Sequence, residues 1–172
     1  SIAKNVNSKA KEAGGHFVEE MDEKVMKLTG AFASCSISAQ AAFFGGIVAQ
    51  EIVKYTGKYT PLKQWLHYDI FEALPDTADR TPMQSRYDDQ IKIFGREVQA
   101  KLEKTKAFMV GAGALGCDLI KAFALMGLGC STEGKVHVTD NDNIEVSNLN
   151  RQFLFRQAHV GKSKSGTAST IA

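Results

Sequence analysis

What the sequence lacks narrows its class first. Its three cysteines, Cys35, Cys117 and Cys130, stand far apart and form no CxxC pair. They are too few and too scattered for a disulfide framework or a structural zinc site, and a reducing compartment is the expectation. Neither sign of charge dominates: 21 Lys+Arg face 19 Asp+Glu, a formal net charge of +2. No broad field therefore draws nucleic acid or an anionic membrane. Long apolar runs are missing too. The most apolar stretch, 41–50, stops at Glu51, well short of the roughly 18–20 residues that span a bilayer. The opening run Ser1-Ile2-Ala3-Lys4-Asn5-Val6 has no apolar heart of a signal peptide. A soluble intracellular protein with neither a nucleic-acid nor a membrane partner is expected.

What is present fits a globular chain. Of 172 residues, 44% are hydrophobic and 23% charged, unlike disordered or fibrous sequences. That length suffices for one ordinary domain with a core, or for parts of two.

Two blocks joined by a polar connector are legible, with boundaries at 1–72, 73–86 and 87–172. In the first, Phe17, Met21, Val25 and Leu28 recur at helical spacing, with Thr29-Gly30 as a stop. A second helix is expected after Ser36 or Ser38 as N-cap, running to Tyr55 and ended by Thr56-Gly57. Gly45-Gly46 inside it costs about 1 kcal/mol per glycine relative to Ala, which suggests close approach of another backbone. The alternation of Leu66, Tyr68 and Ile70 with Trp65, His67 and Asp69 predicts a strand over 61–71. Trp65 and the Phe43-Phe44 pair read as packing. The connector holds Pro75, Pro82, Asp76 and Asp79 with little periodicity.

In the last block, Ile91, Phe94, Val98 and Leu102 mark an amphipathic helical stretch over 87–104, broken near Gly95. Ala107-Phe108-Met109-Val110 has the look of a strand buried on both faces of a parallel sheet. A glycine turn follows, then a helix to about Leu128 with Leu119, Ile120, Phe123 and Met126 on its inner side. Residues 135–139 are the next strand. The fold class expected is α/β.

Gly111-x-Gly113-x-x-Gly116 lies directly after a strand and opens a helix. The first glycine permits the tight turn, the second lets a phosphate approach the backbone, and the third lets helix and strand pack closely. The helix N-terminus then favours an anion. Asp140 ends the following strand, close to the roughly 20-residue offset at which an acid accepts ribose hydroxyls. This pattern points to a nucleotide and leaves NAD, FAD and ATP open.

The polar run from Asp140 to Phe155, followed by Val160-Gly161-Lys162-Ser163-Lys164, bears on that choice. A dehydrogenase needs little beyond its glycine loop and acid at this edge. Breaking the α–β bond of ATP calls for fixed positive charge, which Asn148, Arg151 and Lys164 could supply as a clamp. The bland alternative is a solvated turn with Arg151 paired to Asp142.

At these residues the chain resembles the ubiquitin-activating enzymes and, more broadly, the adenylyltransferases of molybdopterin and thiamine biosynthesis. VGAGALGCD, TDNDNIEVSNLNRQFLF and VGKSK look like their active adenylation domain, and Arg86 to Ile91 look like the helix that opens it. Residues 42–51 and 57–62 resemble the end of the inactive adenylation domain. The resemblance implies Rossmann-like domains with mostly parallel sheets and flanking helices, both incomplete within this chain: inactive over 1–72, active over 87–172. It implies use of ATP with Mg2+ to adenylate the C-terminal glycine of ubiquitin, followed by capture on a cysteine. Carried over by motif, Gly111, Gly113, Gly116, Asp140, Asn148, Arg151, Gln152 and Lys164 bind the nucleotide, with Arg151 and Lys164 stabilising charge at the reacting phosphorus. The implied partners are ubiquitin, ubiquitin-conjugating enzymes and the remainder of both adenylation domains. The implied location is cytoplasm and nucleus.

Departures from the pattern also matter. Symmetric bacterial relatives carry an arginine at the position of Asp89 that reaches into a partner's site, which an aspartate cannot do. The magnesium-binding aspartate and the thioester cysteine of the family are expected beyond Ala172, so no metal ligand is assigned here and the fragment alone is expected to be inactive. Cys117, in the first turn of the glycine-loop helix, reads as small, packed and inert. Two rivals stand beside this reading: a nicotinamide or flavin oxidoreductase on the same loop, and an adenylation-like scaffold without catalysis.

Overall fold

A computed structural model describes residues 2–172. The chain is α/β, with elements α1 (Ile2–Glu12), α2 (Glu23–Phe32), α3 (Ser38–Lys54), α4 (Asp88–Phe94), α5 (Arg96–Lys104), β1 (Lys106–Val110), α6 (Ala114–Met126), β2 (Lys135–Thr139) and α7 (Lys164–Ile171). Strands β1 and β2 pair in parallel, Lys106 opposite Lys135 through Val110 opposite Thr139. Because α6 carries the chain between them, both strands end at the same edge. Whatever follows Val110 and Thr139 therefore meets there.

Beneath that edge, Ala112, Cys117, Ile120, Ile144, Phe155 and Ala168 form a buried cluster, with Met109 and Val138 packed against it. Phe155 and Ile144 are almost completely excluded from solvent. Apolar burial of this kind contributes about 1.5–3 kcal/mol per large side chain, and here it lies directly under the loops of the site.

The expected break between α4 and α5 is at Gly95, whose φ of +90° few other residues tolerate. A Cβ there would stand 2.6 Å from the Ala78 Cβ, so glycine is also required by space. The two short helices are locked to α6 by a buried amide pair. Gln90 Nε2 donates to Gln99 Oε1 at 2.8 Å and to the Met126 carbonyl at 3.0 Å. Arg86 Nη2 donates to the carbonyl of Ala124, satisfying an open end of α6.

Several expectations do not hold. Helix α2 starts only at Glu23, because Asp22 caps it by accepting the N–H groups of Lys24 and Val25. Phe17 and Met21 thus fall outside, and the helix runs through Gly30 to Phe32, which packs on Phe71. Helix α1 carried no sequence expectation. Helix α3 has the expected span, yet its geometric cap is Ile37 without a side-chain bond. Nothing lies within 4 Å of a Cβ built at Gly45 or Gly46, so no backbone approaches them.

The strand expected over 61–71 does not form; only a 3-10 turn at Phe71–Ala73 is regular. A strand requires a ladder partner for its backbone groups. Here carboxylates take local N–H groups instead: Glu51 accepts from Leu62, and Asp69 from Phe71. Phe43, Phe44 and Tyr68 do stack, Phe43 and Tyr68 at 4.5 Å between ring centroids. Trp65, in contrast, is 89% exposed. Strand β1 is not covered on both faces, since Phe108 and Val110 are open to solvent, and on α6 Ile120 is buried while Leu119 is exposed.

The blocks meet around an apolar cavity of about 400 Å³ lined by Ile37, Phe43, Tyr68, Phe94, Val98 and Leu102 among others. Asp89 stands at this seam. Its Oδ2 accepts the Ser36 N–H at 2.8 Å, tying the segment before α3 to α4. Among the described residues no helix is long and apolar enough to cross a membrane.

Candidate functional site

The site is the edge where β1 and β2 end. Gly111 leaves β1 with φ +103°, and its N–H extends the ladder by donating to the Thr139 carbonyl at 2.7 Å. Three residues on, the chain has turned into α6. A Cβ on Gly116 would lie 2.3 Å from the Gly111 carbonyl oxygen, so the first turn of α6 sits against the loop as only glycine allows. A Cβ on Gly113 would meet nothing within 4 Å. Gly113 is also the N-cap of α6 and offers no side chain to its open N–H groups. The third glycine closes the turn, and the second leaves space in front of a helix N-terminus.

Asp140 follows β2 at the same edge. Its Oδ2 accepts the Ala112 N–H at 2.6 Å and its Oδ1 accepts the Asp142 N–H at 2.8 Å. The Ser165 hydroxyl donates to its backbone carbonyl at 3.3 Å. One residue thus joins the glycine loop, the segment after β2 and the start of α7.

Residues 142–144 and 161–164 run antiparallel, with Asn143 bridged to Ser163. Ile144 N–H donates to Lys162 O and Gly161 N–H to Ile144 O, both at 2.8 Å. Lys164 N–H donates to Asp142 O at 3.0 Å. Lys164 therefore opens α7 at a fixed place. Its side chain is 9% exposed, and its Nζ lies 2.8 Å from Asp142 Oδ2. Ser163 caps the helix by accepting the Gly166 N–H.

The third part is the turn over 145–152. Buried Asn148 fixes it, because its Oδ1 accepts the Glu145 N–H at 3.0 Å while its carbonyl accepts the N–H groups of Arg151 and Gln152. Arg151 is exposed, and its Nη1 donates to Ser147 O at 2.9 Å and Asn150 Oδ1 at 3.2 Å. Gln152 is 3% exposed, yet its Oε1 has no hydrogen-bond partner. A buried acceptor without a donor costs about 1–3 kcal/mol, which a hydrogen-bonding ligand would relieve.

The glycine loop, Asp140 and Lys164 are brought together through hydrogen bonds and the Asp142 bridge. The hydrogen bonds of Arg151 stay within its own turn and reach neither Lys164 nor the loop. The partner of Asp142 is Lys164, not Arg151 as the bland alternative had it. Ala112 and Ser165, and the pairing of Asp142 with Lys164, are not predicted by the sequence. The Asp-x-Asp pattern after β2 was the available signal, because a second acid two residues on falls beside whatever pairs with that segment.

Cys117 is fully buried with its Sγ 3.8 Å from the Ala112 carbonyl. Burial pushes its thiol pKa up, so little thiolate forms at neutral pH. Burial likewise raises that of Cys35. Neither thiol has the environment of a nucleophile.

The ThiF family matches residues 87–172. Ubiquitin-activating enzyme E1 1 of Candida albicans (strain WO-1) is 47% identical over 159 residues, 88% of this chain and 16% of that protein. Ubiquitin-like modifier-activating enzyme 1 of Oryctolagus cuniculus is 46% identical over 176 residues, 98% of this chain and 16% of that protein. The chain thus spans about a sixth of the length of these relatives. A crystal structure of E. coli MccB with AMPCPP and MccA is 30% identical, with a TM-score of 0.45, over 53% of this chain and 27% of that one.

Proposed function

Because the chain belongs to the ThiF family, we propose that it carries the phosphate end of the ATP site of an enzyme that activates ubiquitin. The observation that carries this reading is the shared strand edge, where open space before Gly113 stands beside Asp140 and the buried ammonium of Lys164. In this reading 1–72 ends an inactive adenylation domain, 73–86 connects, and 87–172 begins the active one.

The residues fit a polyphosphate nucleotide. The free N–H groups at the start of α6 suit a phosphate, and the second lone pairs of the Asp140 carboxylate suit ribose hydroxyls. Asn148 and Gln152 offer amides, and the unpartnered Gln152 Oε1 awaits a donor. Magnesium bound with ATP needs only one or two carboxylates beside the phosphates and water, and the family resemblance assigns that role to none of the carboxylates of residues 1–172. The metal that accompanies ATP would take its protein ligand outside this chain.

The reaction asks little of an acid or base. The C-terminal carboxylate of ubiquitin is already ionised at neutral pH and attacks the α-phosphorus, whose bond to the bridging oxygen breaks as pyrophosphate leaves with the electron pair. Arg151 offers a planar fork and Lys164 a compact charge to the oxygens that gain negative charge. Transfer to a cysteine, and then to a ubiquitin-conjugating enzyme, uses groups outside 1–172. Adenylation comes before these transfers, but in this reading its magnesium ligand also lies outside 1–172. The chain by itself is therefore expected to form no ubiquitin adenylate, and the full-length protein is expected to work in cytoplasm and nucleus.

Titration of the full-length protein with ATP and with NAD separates this reading from an oxidoreductase. Binding of ATP with no binding of NAD is expected. Tight NAD binding without ATP binding would sink the proposal.

A further inference from the structure

The closest charge to the Lys164 ammonium is on the protein itself. Asp142 Oδ2 lies 2.8 Å from Lys164 Nζ, and the two side chains differ sharply in environment, 72% exposed for Asp142 against 9% for Lys164. A buried ammonium without a counter-ion is costly, so an empty site needs an anion there. Lys164 cannot give its full charge to a phosphate while a carboxylate holds it. We propose that Asp142 is a stand-in anion: it holds Lys164 in place while the site is empty, and the polyphosphate of the nucleotide displaces it. This rests on the nucleotide reading of the same edge.

The geometry suits such an exchange. The backbone of both residues is fixed by the Lys164 N–H bond to Asp142 O and by the Asn143–Ser163 bridge, so losing the side-chain contact does not release Lys164 from the site. The Asp142 N–H is held by Asp140 Oδ1, while its carboxylate faces water and can rotate away. Ala112 N–H, Asp140, Asp142 and Lys164 form one chain of contacts from the glycine loop to the ammonium. An anion reaching the loop therefore arrives beside the carboxylate it must replace. The exchange also discriminates by charge: a singly charged anion offers Lys164 no more than Asp142 does, whereas a polyphosphate offers more. Asp142 is thus a positioning residue that acts through Lys164.

The test is binding of inorganic pyrophosphate to the full-length protein by calorimetry, with EDTA present to exclude metal effects. Asp142→Asn and Asp142→Ser are expected to tighten binding by about 5- to 20-fold, within the range of one coupled charge, and Lys164→Met to abolish it. In the double variant Asp142→Asn/Lys164→Met, the gain is expected to vanish. Unchanged or weaker binding in both Asp142 variants, with Lys164→Met still abolishing it, overturns the stand-in role and leaves the nucleotide reading intact. Binding that survives Lys164→Met, or is absent from every variant, overturns both.

Discussion

Asp140 Oδ2 accepts the Ala112 N–H at 2.6 Å, which ties the end of β2 to the turn that opens α6. The acid at this edge is therefore a brace for the loop as well as a candidate ribose ligand. Its second oxygen, on the Asp142 N–H, extends the brace toward Lys164.

Removing the brace is expected to loosen the loop before it unfolds the chain. Asp140→Ala should cost about 2 kcal/mol, the scale for a hydrogen bond to a charged group, with Asp140→Asn costing less. Hydrogen exchange at the Ala112 amide should rise in Asp140→Ala while exchange across β1 stays slow. Protection of Ala112 equal to the parent would refute the brace.

The three glycines are expected to separate by role. Gly116→Ala forces a Cβ to 2.3 Å from a backbone oxygen, so a loss of about 2–3 kcal/mol is expected, the upper range for overpacking. Gly113→Ala has open space and should change the melting temperature little, yet weaken ATP binding in the full-length protein. Thermal denaturation beside ATP titration checks both, and equal thermal losses in the two variants would contradict the assignment.

Cys117 should resist alkylation in the folded protein, since it is buried and its pKa is raised. Exposed Cys130 should be labelled first by iodoacetamide at neutral pH. Mass spectrometry of the labelled peptides decides the order, and early loss of Cys117 would contradict the burial.

The turn before α4 is expected to weaken in acid. The N–H of Met83, then that of Ser85, bonds to the Asp88 carboxylate and holds its pKa below the ordinary value. A depressed carboxylate contributes stability that is complete above its unfolded pKa of about 3.9 and is lost as pH falls through the lower folded value. Amide exchange at Met83, corrected for the intrinsic rate, should stay protected at pH 5 and lose protection below about pH 4. Asp88→Asn should remove that pH dependence.

Legibility followed the range of the interactions. The break at Gly95, the bounds of β2 and the loop from Gly111 to Gly116 depend on local backbone needs, and the sequence states these directly. The region 61–71 has the alternation of a strand but no neighbour to pair with, and pairing is not written within the segment. Phe108, Val110, Leu119 and Trp65 are exposed, because burial is set by neighbours in space that a residue's apolar character does not name. At the site, the glycines and Asp140 were readable because their spacing is fixed by one strand–turn–helix unit. The Asp142–Lys164 pair was not, because it depends on two loops about twenty residues apart running side by side.

Ubiquitin-dependent exchange of labelled pyrophosphate into ATP by the full-length protein tests the central claim most directly. Arg151→Ala is expected to lower the exchange rate by about 100-fold or more, the scale for loss of one charge-stabilising group. Lys101→Ala, on an exposed helix face paired with Glu97, should leave it unchanged. A rate in Arg151→Ala equal to the parent's would contradict the assignment of this edge to ATP chemistry.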